Sequence, residues 1–182
     1  MNILLVILLG WLCLGLDAGL RQSLTVNLGA SGSPSFVIPL AVAIALCAPP
    51  VHALWACLAL GLALDLTSPN LAGAPVYIPG PNAVGLLLGA QFILAVRGLV
   101  MRRNPLTIVV LSVAAAAISG IAVTAIFTFR SFYDTPGHPA QELASRLLSA
   151  GLTGGTAFVL SFLLLPLSPM LGLSPPRHFL RR

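Results

Sequence analysis

Two apolar segments joined by a turn rich in Pro and Gly, at residues 51–104, constrain the fold of this chain most strongly. The first segment covers residues 51–67 and carries a single acidic residue, Asp65, near its end. The turn covers residues 68–81, and the second segment covers residues 82–100. A carboxylate in hydrocarbon is costly, so we expect Asp65 to face other helices or to lie near a membrane interface.

The composition extends this membrane interpretation to the whole chain. Of the 182 residues, 58% are hydrophobic and 7% are charged, and the mean hydropathy is +1.02. Apolar runs of about 18 or more residues are typical of helices that cross a bilayer. We therefore expect an all-α integral membrane protein in which residues 1–182 form a single polytopic membrane domain.

The apolar runs predict about six transmembrane helices. The second of these is short, and Pro39 should kink it. Asp17 and Arg21 are spaced for an ion pair at the end of the first helix. The first run could instead be a signal peptide, although it has no basic residue before it. The six runs are residues 2–20, 35–48, 51–67, 82–100, 105–129 and 142–173, with polar loops at 22–34 and 130–141.

The nine basic residues are all arginine, and the net charge is +5. The arginines cluster at helix ends rather than on one basic face, which argues against binding to nucleic acid. Six spans with cytoplasmic termini place six arginines inside and three outside, in agreement with the positive-inside rule. The inside set is Arg97, Arg102, Arg103, Arg177, Arg181 and Arg182, and the outside set is Arg21, Arg130 and Arg146.

Small residues recur at helical spacing on three of these segments, and such rows allow membrane helices to approach closely. Gly85 and Gly89 form one row. A row on the fifth segment could also line a substrate path, but packing is favoured because Ser and Thr can bond to carbonyls of the preceding turn. The two longer rows are Ala53, Cys57, Gly61, Asp65, and Ser112, Ala116, Gly120, Thr124, Thr128.

The sequence contains no pattern typical of catalysis or of a cofactor or metal site. An ionisable residue inside a membrane is by default a candidate functional residue, and this applies to Asp65. The alternative is that Asp65 caps the following turn through the backbone N–H groups of Thr67 or Ser68. If so, Asp65→Asn should be tolerated and Asp65→Leu should not be. We expect a protein that is not an enzyme.

The central pair of segments resembles the MreD family of rod shape-determining membrane proteins. Members carry a G-x-x-x-D-L-x-S helix end, then a short turn with Asn or His before Ala, then an Arg-rich end before Asn-Pro. The resemblance covers roughly residues 34–110, and this chain has a longer turn, with an insertion at 74–80. The matching residues are Gly61, Asp65, Leu66, Ser68, Asn82, Ala83, Arg102, Arg103, Asn104 and Pro105.

The resemblance implies a non-enzymatic scaffold of the cell-elongation machinery in the bacterial inner membrane. Such a scaffold would bind MreC and would link MreB filaments to peptidoglycan synthesis by RodA and its transpeptidase partner. It also implies a fold similar to the substrate-binding subunits of energy-coupling-factor transporters. The candidate structural or partner-binding residues are Gly61, Asp65, Ser68, Asn82, Gly85, Gly89, Arg102, Arg103 and Gly120.

The alternative function is that of a substrate-binding membrane subunit of an energy-coupling-factor-type transporter. This alternative is based on the architecture that the resemblance implies and on the outer turn, which could cover a small molecule. A binding pocket needs polar groups that converge on the ligand. The candidates in this sequence are Asp65, Asn70, Tyr77 and Asn82.

Overall fold

The computed structural model describes residues 3–20, 23–27, 31–67, 79–100, 104–131 and 139–167. Within these ranges the chain forms six α-helices and one small antiparallel pair of strands. The elements are α1 (Ile3–Leu20), β1 (Val26–Asn27), β2 (Ser31–Gly32), α2 (Val37–Cys47), α3 (Pro50–Thr67), α4 (Pro81–Val96), α5 (Pro105–Ser131) and α6 (Pro139–Leu167).

Three of the described helices are long and apolar enough to cross a membrane by length and composition. The qualifying stretches are Pro50–Thr67 in α3, Pro105–Phe129 in α5 and Ala140–Leu163 in α6. The other three helices are also apolar but shorter. The architecture therefore fits the expected all-α membrane protein.

The short helix α2 is the centre of the bundle. Eight of its eleven residues are buried, and it contacts each of the other five helices. Pro39 lies in the first turn of α2, where backbone N–H groups have no acceptor within the helix. Proline at this position removes no helical hydrogen bond, so Pro39 does not require the kink that was expected from the sequence.

Consecutive helices from α3 to α6 pack against one another in antiparallel pairs. On α4, Gly85 lies against Ser119 of α5, and Gly89 lies against Ala115 one turn earlier in α5. On α6, Gly154 contacts Val113 of α5. Glycine is the residue that allows two backbones to approach this closely, so these positions set the spacing between the helices.

Both predicted polar loops contain regular structure. Inside the region expected to be a loop at 22–34, β1 pairs with β2 through Val26 opposite Gly32 and Asn27 opposite Ser31. Helices α5 and α6 also extend into the region expected to be a loop at 130–141, because α5 ends at Ser131 and α6 begins at Pro139. Helix α6 is described as far as Leu167.

Candidate functional site

The buried face of α3 is the row of small residues expected from the sequence. Its four buried residues are Ala53, Cys57, Gly61 and Asp65, which follow one another at intervals of four. Asp65 is 0% exposed and is the only charged side chain among the described buried residues. The row directs the carboxylate of Asp65 toward the start of α4.

The Asp65 carboxylate accepts four hydrogen bonds from the first turn of α4 and the residue before it. Its Oδ2 atom accepts from the backbone N–H groups of Gly80 at 2.8 Å and Ala83 at 3.2 Å. Its Oδ1 atom accepts from the backbone N–H of Asn82 at 3.1 Å and from the Asn82 side-chain Nδ2 at 3.0 Å. Both carboxylate oxygens are therefore used within the protein.

The start of α4 explains why it needs an acceptor from another helix. Its N-cap is Gly80, which has a positive φ of 126° and no side chain to bond the first turn, and Pro81 follows as the first helical residue. The first N–H groups of a helix have no acceptors in that helix, and a negative charge there interacts favourably with the helix dipole. Asp65 supplies both the acceptors and the charge.

Gly61 brings α3 and α4 close enough for these bonds to form. A Cβ atom at Gly61 would lie 2.5 Å from the Cα of Ala83 and 3.0 Å from the backbone O of Asn82. No side chain fits at such a distance, so glycine is required unless the helices move apart. We call the group Gly61, Asp65, Asn82 and Ala83 the α3–α4 joint.

The α3–α4 joint unites residues that the sequence analysis had selected as two separate motifs. It also corrects the expected capping partners of Asp65, because the donors that the structure describes lie on α4 or just before it rather than at Thr67. The hydroxyl of Thr67 donates to the carbonyls of Ala63 and Leu64 in its own helix. Ser68, Arg102 and Arg103 lie outside the described residues.

The row of small residues on α5 faces inward, as expected. Ser112, Ala116, Gly120 and Thr124 are buried, and a Cβ atom at Gly120 would lie 3.2 Å from the Cβ of Arg146 on α6. Thr124 donates to the carbonyl of Gly120, and Thr128 donates to that of Thr124. These hydroxyls thus bond to their own helix, whereas the buried Ser112 Oγ has no hydrogen-bond partner among the described residues.

Asp17 performs a similar role at the start of α2, which the sequence analysis missed. The ion pair with Arg21 was the expected interaction, and Arg21 lies outside the described residues. In the structure the Asp17 carboxylate accepts from the backbone N–H of Phe36 at 2.7 Å and from the Ser35 hydroxyl at 3.0 Å. Ser35 follows Pro34 directly before a short apolar run, and this helix-start signal could have indicated the contact.

Ser35 also connects the start of α2 to α6. Its backbone N–H donates to Thr153 Oγ1 at 3.1 Å, and its carbonyl accepts from the Thr156 hydroxyl at 2.9 Å. The neighbouring N–H of Ser33 donates to Ser149 Oγ at 3.1 Å. These hydroxyls satisfy the backbone that leads into α2, and the α6 residues that carry them were not selected from the sequence.

The opposite end of α2 is held by Arg97, at the end of α4. The Arg97 guanidinium donates from Nη1 to the carbonyl of Ala48 at 3.0 Å, and Ala48 is the C-cap of α2. A cation at this position complements the partial negative charge at the end of a helix. Helix α2 is thus held by Asp17 at its start and by Arg97 at its end.

Two of the four residues suggested to line a ligand pocket in the transporter alternative are used within the protein. Asp65 and Asn82 are bonded to each other, and Asn70 and Tyr77 lie outside the described residues. A separate groove of about 430 Å³ lies between α5 and α6 and is mostly apolar, with Ile121, Ala125, Phe129 and Leu143 in its lining. Among the described residues, no three His, Cys, Asp or Glu side chains are grouped where they could hold a metal ion.

Comparison with known proteins found no match for this chain among family models, curated proteins or solved structures.

Proposed function

We propose that this protein is a non-enzymatic membrane scaffold of the bacterial cell-elongation machinery, of the MreD type. The proposal combines the resemblance of residues 34–110 to that family with the arrangement of the α3–α4 joint. In this role the protein binds MreC within the inner membrane and connects MreB filaments to RodA and its transpeptidase partner. Cell shape is then regulated through the position of peptidoglycan synthesis.

The observation that carries the proposal is the contact between the two motifs that define the resemblance. The helix end with Gly61 and Asp65 meets the helix start with Asn82 and Ala83, although the two are about 20 residues apart in the chain. Residues that match a family pattern and bind one another have a structural reason to occur together. A scaffold needs such fixed helix pairs, because its function is to hold partners in a constant arrangement.

The use of the polar groups also favours a scaffold over a small-molecule carrier. Asp65 bonds α4, Asp17 bonds the start of α2, and Arg97 bonds the end of α2. A carrier needs polar groups directed at its ligand, whereas these three stabilise the bundle. The outer surface offers large apolar side chains to lipid or to partner helices, including Trp11, Trp55 and Phe162.

The proposed topology has six spans with both termini in the cytoplasm. The ends that carry Arg97 and the α2–α3 turn then face the cytoplasm, and the α3–α4 joint faces outward. The described helices run antiparallel from α3 to α6, which is consistent with alternate crossings. A fold similar to the substrate-binding subunits of energy-coupling-factor transporters is part of this proposal.

The test is co-purification with the MreC protein of the same organism. The tagged chain is extracted from native membranes in mild detergent, and MreC is detected by its own tag. We expect recovery of MreC, and loss of rod shape when the protein is depleted. An unrelated polytopic membrane protein carrying the same tag is the control. Recovery of transporter ATPases without MreC would contradict the scaffold and favour the transporter alternative.

A further inference from the structure

We infer that the face of the bundle formed by α1, α3 and α4 fits a bilayer with a thinner hydrocarbon core than the face formed by α5. The partner of the α1–α3–α4 face is thus lipid with short acyl chains. The inference rests on the membrane setting of the helices and is independent of the proposed role in cell elongation.

The helices on the two faces differ in length. Helix α3 has 18 residues and α4 has 16, which correspond to about 27 Å and 24 Å at the helical rise of 1.5 Å per residue. The apolar stretch of α5, Pro105–Phe129, has 25 residues, or about 37 Å. The hydrocarbon core of a typical bilayer is about 30 Å thick. Helix α4 is therefore too short for it, and α3 is near the lower limit of a spanning helix, whereas α5 can cross it with a tilt.

The start of α3 and both ends of α4 cannot be extended into the hydrocarbon. Irregular backbone that is exposed to lipid does not occur there, because its polar groups have no partners. Pro49 before α3, Pro79 before α4 and Leu99 after α4 are all exposed and non-helical. The lipid headgroups must therefore lie at these levels, which limits the core beside α3 and α4 to roughly the lengths of these helices.

Charged groups mark the same limits from inside the protein. Asp65 bonds the first turn of α4, and Arg97 follows its last residue. Fifteen residues separate Asn82 from Arg97, which corresponds to about 22 Å along the helix axis. A thin bilayer places both charges near an interface, whereas a thick bilayer would bury at least one of them in the hydrocarbon region, where an ionised group is costly.

Both tryptophans of the chain lie on the α1–α3–α4 face and can report on the lipid beside it. Trp11 of α1 is 75% exposed and Trp55 of α3 is 67% exposed, and α1 packs against α3 through Gly10 and Leu60. The chain contains no other tryptophan. Quenching of their fluorescence by brominated lipids therefore measures the binding of lipid to this face alone.

The experiment uses the purified full-length chain in vesicles of monounsaturated phosphatidylcholines, from myristoleoyl through palmitoleoyl and oleoyl to erucoyl chains. Mixtures with a brominated lipid of each length give the relative affinity of the face for that lipid. We expect myristoleoyl or palmitoleoyl lipid to bind about twofold to fivefold more strongly than erucoyl lipid, since mismatch has a modest energetic effect for each ångström.

A reporter on α5 provides the matched control. In a Trp11→Phe/Trp55→Phe background, Val110→Trp places one tryptophan on α5, where Val110 is 64% exposed. Val110 and Trp55 each lie five residues after the first residue of their helix, so the two reporters sit at comparable distances from a helix end. We expect the α5 reporter to favour longer chains, or to show no preference for short ones.

Three results would overturn the inference. One is stronger binding of oleoyl or erucoyl lipid to the native tryptophans, or equal binding of all chain lengths. Another is the same preference for short chains at Val110→Trp, which would remove the difference between the faces. The third is the absence of quenching by any brominated lipid, because a second copy or another protein would then cover the α1–α3–α4 face.

Discussion

Asp65, two residues before the last residue of α3, binds Asn82 of α4 through both the backbone N–H and the side-chain amide of that residue. A single carboxylate oxygen accepts both bonds, and the second oxygen accepts from Gly80 and Ala83. The pair thus fixes the start of one helix to the end of the preceding one. Asp65, an acidic residue in an apolar helix, therefore has a structural role in joining the two helices.

The geometry of Asp65 changes the expected effect of Asp65→Asn. The asparagine amide retains one oxygen but replaces the other with an NH₂ group, which cannot accept the N–H groups that face it. We expect an intermediate loss of stability for Asp65→Asn and a larger loss for Asp65→Leu, at about 1–3 kcal/mol for each donor left unpaired. The measurement is thermal unfolding of both purified variants in mild detergent. Equal stability of wild type and Asp65→Asn would contradict this assignment.

Exchange of the two side chains tests whether Asp65 and Asn82 act as a pair. Asn82→Asp alone places two carboxylates together and should destabilise the protein strongly. The double variant Asp65→Asn/Asn82→Asp restores one donor opposite one acceptor and leaves a negative charge in the first turn of α4, where it is favourable. We expect the double variant to unfold at a higher temperature than Asn82→Asp. Strictly additive effects of the two substitutions would show that the side chains are independent.

Gly61 and Gly151 offer a matched comparison of two helical glycines. Gly61→Ala would place a methyl group 2.5 Å from the Cα of Ala83, and we expect a loss of about 1–3 kcal/mol as α3 and α4 move apart. Gly151 on α6 has no atom within 4 Å of a Cβ position. Gly151→Ala should leave stability unchanged or raise it slightly, because alanine favours helix. The same unfolding measurement applies, and equal effects of the two substitutions would contradict the close packing at Gly61.

The sequence predicted the buried row of α3 correctly because that row has a simple period. Ala53, Cys57, Gly61 and Asp65 follow at intervals of four, and a helix places such residues on one face. The partners of Asp65 could not be predicted in the same way. Its donors Gly80 and Ala83 lie at or beyond the end of the Pro- and Gly-rich turn, and only the folded bundle shows which N–H groups lack acceptors.

Asp17 illustrates the same difference between local and tertiary interactions. A spacing of four residues predicts a local ion pair with Arg21, which lies outside the described residues, and the structure shows that Asp17 also bonds the start of α2. The bonds from Ser35 to α6 join residues more than 100 positions apart. Periodicity within one helix carries no information about such distant pairs, so the residues around Ser35 were not anticipated.

The row of small residues on α5 allows a prediction for Gly120. The Cβ of Arg146 lies 3.2 Å from the position of a Cβ atom at Gly120, and Arg146 is itself held by Glu142 at 2.8 Å. Gly120→Ala therefore requires only a small shift, whereas Gly120→Leu should separate α5 from α6 and lower the amount of protein in the membrane. Val110→Leu at an exposed position of α5 is the control. Normal membrane levels and normal recovery of the proposed partner MreC for Gly120→Leu would contradict the packing role.

The proposed six-span topology predicts the location of reporters at three points of the chain. A reporter fused after Arg182 and one inserted at Leu99, which is 89% exposed in the turn between α4 and α5, should both report the cytoplasm. A reporter inserted near Pro136, between α5 and α6, should report the outside, because α5 crosses the membrane between Leu99 and Pro136. An enzyme that is active on only one side of the membrane provides the measurement. Reporters at Pro136 and Arg182 on the same side would contradict a single crossing by α6 and with it the six-span arrangement.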